Sequence, residues 1–371
     1  MIFCLDARAA QDHFPGVGRY VLNLARAMPA ALSASERLVL LRDPTSSAPW
    51  NLASLADTRL QLTDAAVSPF SARQQWRVPH VLRQLGAQLY HSPYYLMPLR
   101  AGVPSVVTIH DLIPLRFPGY FNLRDRLIYR TAIRLAVRAA SAIVAVSETT
   151  ARDLTQLLHV PSKRIVVIPE AAGAEFAPQP AEIVAATQAR LSLPERYVLY
   201  LGSNKPHKNL PRLIEAWSRL QPHPLPLVIA GVWDERYPQA RVRADALDLG
   251  ERVRFVGAIA AADLPALYSG AVLFVFPSEY EGFGLPVIEA MACGAPVACA
   301  KTGSLAEVVG GAARGFDPHE VDAIAAAMRA LLHDAELRAD LSARGLRRAR
   351  QFSWQDAAGK TLEVYRSLLR A

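Results

Sequence analysis

Residues 272–297 read VLFVFPSEYEGFGLPVIEAMACGAPV, and the fold turns on this stretch. The run Val272–Pro277 is apolar, rich in β-branched and aromatic residues and too short for a helix of ordinary length, so it reads as a buried strand. Ser278–Gly284 then supplies a turn with two glycines. Leu285–Cys293 has helical character, with Pro286 near its first position and Gly294 just beyond its end. A strand that feeds a helix through a glycine turn is half of a parallel βαβ unit, and open sheets of this kind bind ligands at the carboxyl ends of their strands. The first amides of the helix lack intrahelical partners and carry the positive end of its dipole, so the turn suits phosphate oxygens.

The rest of the chain repeats this pattern. Strand-like runs occur at 2–6 (IFCLD), 37–42 (RLVLLR), 105–111 (SVVTIHD), 142–147 (AIVAVS) and 164–169 (RIVVIP). A second series follows at 197–202 (YVLYLG), 226–231 (PLVIAG), 252–257 (RVRFVG), 272–277 and 296–300 (PVACA). Near-continuous apolar strands separated by amphipathic helices predict parallel sheets covered on both faces. Two series in 371 residues predict two doubly wound α/β domains. The boundaries read as 1–172 for the first, 173–195 for a Pro- and Ala-rich linker and 196–351 for the second. A closing helix at 352–371 has Ser353 as its N-cap, with Trp354, Ala358, Leu362 and Tyr365 along one face.

Composition narrows the function classes. Half the residues are hydrophobic and a fifth charged, which excludes a disordered chain. No apolar run approaches the ~18–20 residues of a membrane span, and MIFCLDARAA lacks the pattern of a secretory signal. The expected location is the cytoplasm. Cys4, Cys293 and Cys299, odd in number and set beside apolar segments, read as buried thiols and not as a disulfide or metal framework. Lys and Arg exceed Asp and Glu by 41 to 33, which favours anionic partners.

Glu281 before the glycine turn and Glu289 eight residues later would bracket a diphosphate seated on the helix start. Carboxylates accept hydrogen bonds from hydroxyls, so one acid can meet a sugar and the other a ribose. Taken alone, the pair would be read as a solvent-facing acid and a first-turn helix acid. The setting changes that reading: the Glu-x7-Glu segment resembles the donor-site motif of the retaining glycosyltransferases of family 4. The likeness extends, in the family's order, through GVGRYVLNLARAM (16–28), VTIHDLIP (107–114), VAVSETT (144–150), YLGSNKPHKNL (200–210), RFVGAI (254–259), SLAEVVGGAA (304–313) and FSWQDAA (352–358).

This resemblance implies the GT-B fold, two Rossmann-like domains of doubly wound parallel sheet facing a central cleft, with the closing helix crossing back to the first. It implies that Glu281 contacts hydroxyls of the donor sugar and Glu289 the ribose. Phe283, Gly284 and Leu285 would offer backbone amides to the sugar and distal phosphate, and Lys208 would bind the diphosphate. Many relatives also carry an arginine near that lysine. Here the order is Ser203, Asn204, Lys205, Pro206, His207, Lys208, so Ser203 and Lys205 are expected at the donor, with Lys205 or His207 replacing the arginine. Gly18 would border the phosphates, although it and Gly16, placed between first strand and first helix, equally suit plain turn geometry. Asp6 and Arg8 end the first strand and would face the same region. His110 would stand near the reacting centre, orienting the acceptor without attacking the sugar.

A lysine with helix-end amides can stabilise a departing nucleoside diphosphate without a metal, and the sequence contains no Asp-x-Asp. No cofactor is expected; the partners are a nucleotide-sugar donor and a glycan or lipid-linked saccharide acceptor. LDARAAQDHFPGVGRY and HDLIP are similar to bacterial enzymes that build O-antigen or capsule from GDP-mannose, while UDP-linked donors stay open. In 122–140, Arg126, Arg130, Arg134 and Arg138 recur every four residues, with Ile128, Ala132, Leu135 and Ala136 read as the helix's other side. Such a helix is either a solvated basic face or a dock for anionic lipid on the inner membrane face. Two further classes remain open: a sugar-nucleotide epimerase of related fold, and a basic nucleic-acid-binding protein, for which no zinc-finger spacing or aromatic RNA signature is found.

Overall fold

The structure, a computed structural model, describes residues 1–11, 15–45, 52–55, 58–220 and 225–370. Two compact units emerge, Met1–Glu170 with Ser353–Ala371, and Ala171–Phe352. The first contains β1 (Ile2–Asp6), β2 (Arg37–Arg42), β3 (Leu60–Asp64), β4 (Leu89–Ser92), β5 (Ser105–Ile109), β6 (Ala142–Ala145) and β7 (Ile165–Val167). They form one parallel sheet in the order β3-β2-β1-β4-β5-β6-β7. The second contains β8 (Tyr197–Leu201), β9 (Leu227–Ala230), β10 (Val253–Gly257), β11 (Ala271–Phe276), β12 (Val297–Ala300) and β13 (Arg314–Phe316). Its parallel order is β10-β9-β8-β11-β12-β13. In each sheet the strand order reverses once, between β1 and β4 and between β8 and β11, and such a switch point opens a crevice at the carboxyl ends of the two strands.

β5, β6, β8 and β9 are buried at every residue, as strands covered by helices on both faces must be. The sequence pattern did not mark β3, β4 and β13. β3 is an edge strand with polar alternation, β4 carries His91 and Ser92, and β13 has three residues, too few for a periodic signal. The three cysteines are free and buried; burial pushes the Cys293 and Cys299 thiols up to about 12.

Residues expected as a linker, 173–195, group instead with the second unit and contain a helix, Ala181–Arg190. Two contacts tie the segment to that unit: Gln179 N–H donates to Ser269 Oγ at 3.1 Å, and Arg190 bonds Asp263. The helix Leu123–Ala139 buries Tyr129, Ile133, Ala136 and Val137; of the residues read as the side away from the arginines, Ala136 is buried while Ile128 and Leu135 lie in solvent.

The closing helix, Trp354–Arg370, belongs to the first unit. Ser353 Oγ accepts from Asp356 N–H at 3.0 Å, the geometry of an N-cap, and Trp354, Ala358, Leu362 and Tyr365 are all buried. Arg366 forks onto Glu36 at 2.9 and 2.7 Å, holding that carboxyl down at about 2. Tyr365 packs edge-on to Phe3 of β1 and its hydroxyl bonds His91 Nδ1 of β4 at 2.6 Å. Tyr365→Phe keeps the ring and leaves a buried imidazole nitrogen without its partner, so urea unfolding of the variant should show a loss of about 1–3 kcal/mol.

Candidate active site

In the second unit, the loops after β8 and β11 flank the switch point. Pro206–Lys208 forms a single 3-10 turn after β8, and Glu281 follows β11. Lys208 Nζ stands 2.6 Å from Glu281 Oε1, with side chains 15% and 11% exposed. The ammonium also lies 5.3 Å from the ring centre of Phe276, the last residue of β11. Bonds to main-chain carbonyls, one from a backbone amide and two from side chains, clamp the two loops together. Glu279 N–H donates to the His207 carbonyl at 2.8 Å, Ser278 Oγ–H to the same oxygen at 3.2 Å, and Asn209 Nδ2 to the Pro277 carbonyl at 3.2 Å. Ser304 Oγ–H holds the Glu281 carbonyl at 2.7 Å. The pair is therefore set by fixed main chain and not by two long side chains meeting in solvent.

Gly284 caps the next helix, Leu285–Ala292, at φ 107°, and a Cβ there would meet Leu305 Cδ2 at 2.6 Å. Only glycine satisfies both the left-handed backbone and the contact. Phe283 is buried edge-on to Phe352, at 5.7 Å between ring centres. Leu285 begins the helix; Pro286 in its first turn carries no N–H, and the Val287 and Ile288 amides both donate to the Gly284 carbonyl, at 2.9 and 3.3 Å. Glu289 is 1% exposed and accepts from Tyr268 O–H at 3.1 Å, a partner that the sequence pattern did not suggest because it lies 21 residues away on another helix.

The cationic loop departs from expectation at one position. His207 is buried, and burial together with Lys208 and Lys205 holds its pKa well below the ordinary value. It is neutral near pH 7 and cannot replace an arginine at a phosphate. Lys205 is exposed, and the Ser203 carbonyl accepts from Tyr200 O–H at 2.8 Å. Arg212, one turn beyond Lys208, was not singled out by the sequence; it binds Glu279 Oε1 at 2.6 Å and Asn209 Oδ1 at 2.8 Å.

In the first unit, His110 follows β5 and its Nδ1 is 2.9 Å from Glu170 Oε1, while Nε2 is 3.0 Å from the Pro93 carbonyl. Glu170 was not singled out either; its signal is a carboxylate directly after the strand-like run RIVVIP. Burial alone would lower the His110 pKa, but the Glu170 hydrogen bond and charge, with Asp111, reverse this and hold it above the ordinary value. The Tyr20 ring stands edge-on to His110 at 5.0 Å, and its hydroxyl bonds Thr108 Oγ1 at 2.9 Å. Thr108 Oγ1 is in turn 2.8 Å from His91 Nε2. His91 has no carboxylate partner, and burial, aided by the charge of His110, pushes it down to about 3.

Gly16 and Gly18 lie inside the first turn of the helix Pro15–Ala31, and not between strand and helix as the sequence suggested. Asp6 and Arg8 are also closed off. Arg8 Nε donates to Asp6 Oδ1 at 2.9 Å and Nη1 to the Val67 carbonyl at 2.9 Å, and both residues are at most 2% exposed. They brace β1 and present no charge to solvent.

The family model for glycosyl transferases group 1 matches residues 186–348, and that for glycosyltransferase family 4 matches residues 15–172. The chain is 32% identical to O-antigen chain mannosyltransferase B of Escherichia coli, over 95% of this chain and 96% of that one. Its fold is similar to sucrose-phosphate synthase from Thermosynechococcus elongatus, with TM-score 0.78 and 24% identity over 100% of this chain and 99% of that one. It is also similar to Anabaena HepE in complex with UDP and glucose, with TM-score 0.78 and 21% identity over 99% of each chain.

The His110–Glu170 pair has a measurable signature. The imidazole should titrate above its unfolded value of about 6.5, and in Glu170→Gln it should titrate lower, as followed by NMR. Because the folded pKa is the higher one, the pair's contribution to stability is complete below about pH 6.5 and fades as pH rises through the folded value. An unchanged midpoint in the variant would remove Glu170 as the cause.

Proposed function

The chain belongs to the glycosyltransferases of family 4 and has their GT-B pair of parallel-sheet units, and from that premise we propose that it moves a hexose, with mannose favoured, from a nucleoside-diphosphate sugar to a glycan or lipid-linked saccharide during assembly of a cell-surface polysaccharide. The mannosyl assignment draws on the name of the Escherichia coli relative, and the GDP-linked donor is carried from the resemblance of LDARAAQDHFPGVGRY and HDLIP. The observation that carries the chemistry is the Lys208–Glu281 pair at the switch point, beside a helix start that only glycine can cap.

When the donor enters, Lys208 turns to the diphosphate and Glu281 accepts from sugar hydroxyls, so each charge exchanges one strong partner for another. The bond between C1 and the phosphate oxygen then breaks, and the acceptor oxygen bonds C1 from the same face. The acceptor's proton passes to the departing phosphate oxygen, and configuration at C1 is retained. Lys208 and the amides at Phe283–Leu285 stabilise the charge that grows on the leaving group, with no metal required. Glu289 holds the ribose, and Ser203 and Lys205 line the phosphates; in the first unit, His110, oriented by Glu170, fixes the acceptor hydroxyl.

Lys208→Ala should lower kcat on the order of 100-fold in an assay of GDP-mannose with saccharide acceptors, and Glu281→Ala should do likewise while remaining folded at the assay temperature. Chelator should leave wild-type turnover intact. Near-wild-type turnover in both variants rejects the assignment. A thermal-shift panel of GDP-, UDP-, ADP- and CDP-sugars reads the base directly, since a ligand held only by the native state raises its stability in step with occupancy. A shift with UDP-sugars alone would replace the guanine reading.

A further inference from the structure

Asn204 stands between Ser203 and Lys205 in the loop after β8, but its side chain bonds the neighbouring loop, the one after β9. It is 6% exposed, and three bonds of 2.8 Å make the connection: Nδ2 donates to the Asp234 and Tyr237 carbonyls, and Oδ1 accepts from the Asp234 N–H. All three partners are main chain. Tyr237 N–H closes the same turn by donating to the Asp234 carbonyl at 3.0 Å, so Asn204 grips both ends of it. The chemistry proposed for the donor uses neither Asn204 nor loop 231–238.

The two loops leave the carboxyl ends of adjacent strands, where ligands of such sheets bind. Gly202 N–H donates to the Ala230 carbonyl at 3.0 Å, and a Cβ on Gly231, at φ 131°, would stand 2.1 Å from the Gly202 carbonyl oxygen. Loop 203–208 has fastenings of its own: Glu279 N–H donates to the His207 carbonyl and Tyr200 O–H to the Ser203 carbonyl, each at 2.8 Å. Loop 231–238 carries an acid and a large ring. Asp234 is forked by Arg236 at 2.9 and 2.7 Å, and Trp233 packs with Arg241 4.2 Å from its ring centre and Phe255 edge-on at 5.4 Å. The Arg236 hydrogen bonds, aided by the charge of Lys205, hold the Asp234 carboxyl down at about 2, so this acid lies within the field of a lysine expected at the phosphates. Removing Asn204 would leave loop 203–208 with its other bonds and strand a buried amide and two carbonyls on loop 231–238.

We infer that Asn204 is a positioning residue: it fixes loop 231–238 against the phosphate-side loop, and so sets how tightly the nucleoside end of the donor is held without touching the bond that breaks. The inference rests on the nucleotide-sugar reading of this unit. It assigns the phosphates to loop 203–208 and the nucleoside to the loop that Asn204 secures.

Hydrogen exchange on the full chain, and calorimetry with GDP, UDP, ADP, CDP and inorganic pyrophosphate, test it. In Asn204→Ala the Asp234 amide should exchange about tenfold faster, while the Glu279 amide, bonded to His207, keeps its rate. The nucleoside diphosphate that wild type binds best should bind about tenfold more weakly, with pyrophosphate unaffected. KM for the sugar donor should rise by a similar factor and kcat should stay within about twofold. Asn204→Ser, whose hydroxyl restores part of the bonding, should fall between wild type and the alanine variant, and it carries the test if the alanine variant does not fold. Unchanged nucleoside diphosphate affinity in these variants, or an equal loss for pyrophosphate, overturns the role of Asn204 and leaves the proposed reaction standing. A wild-type chain that binds none of the four nucleoside diphosphates overturns that reaction, and the inference with it.

Discussion

The ion pair between Lys208 and Glu281 is the interaction on which the site depends. Bringing two charges to a site where each side chain is little more than a tenth exposed costs solvation that their attraction recovers only in good geometry. Here the geometry is supplied by main chain: the loops after β8 and β11 bond to one another through His207, Glu279 and Ser278 before either side chain is considered. The pair therefore arrives already oriented. In the proposed reaction a diphosphate joined to a hydroxylated sugar would take the place of this pairing, the cation meeting the phosphates and the anion the hydroxyls.

The same logic runs with opposite sign through two histidines of the first unit. His91 and His110 sit at the ends of neighbouring strands, yet burial without a carboxylate keeps the first neutral, while Glu170 favours charge on the second. Thr108 and Tyr20 join them, and Tyr365 of the closing helix completes the bonding of His91. The closing helix thus does more than cover apolar surface, since it satisfies the neutral histidine whose position bears on the charged one. Neutral His91 also limits the positive charge near His110, which lets the Glu170 contact decide its state.

The basic helix illustrates how a periodic pattern can mark a helix without fixing which of its sides is buried. Arginines every four residues and apolar residues between them fit two rotations about the axis. Packing chose the one that buries Tyr129 and Ile133, because Tyr129 reaches the Asp111 carbonyl at 3.2 Å and stacks edge-on against Tyr95. Ile128 and Leu135 were left outside as a consequence.

The sequence by itself determined the two series of apolar strands, the glycine turn before Leu285 and the capped closing helix, and it placed Lys208, Glu281 and His110 in the segments that follow strands. Those features are local: β-branched runs, a glycine required by positive φ, and a serine three residues before a backbone amide all leave marks within a few positions. Only the tertiary structure decided that His207 is neutral and that Asp6 and Arg8 close on each other. It alone brought Glu170 to His110 and Tyr268 to Glu289, and showed which side of the basic helix faces solvent. Each of these depends on burial or on a partner far away in the chain, and a one-dimensional pattern carries neither the dielectric around a group nor the distance to a residue sixty positions on.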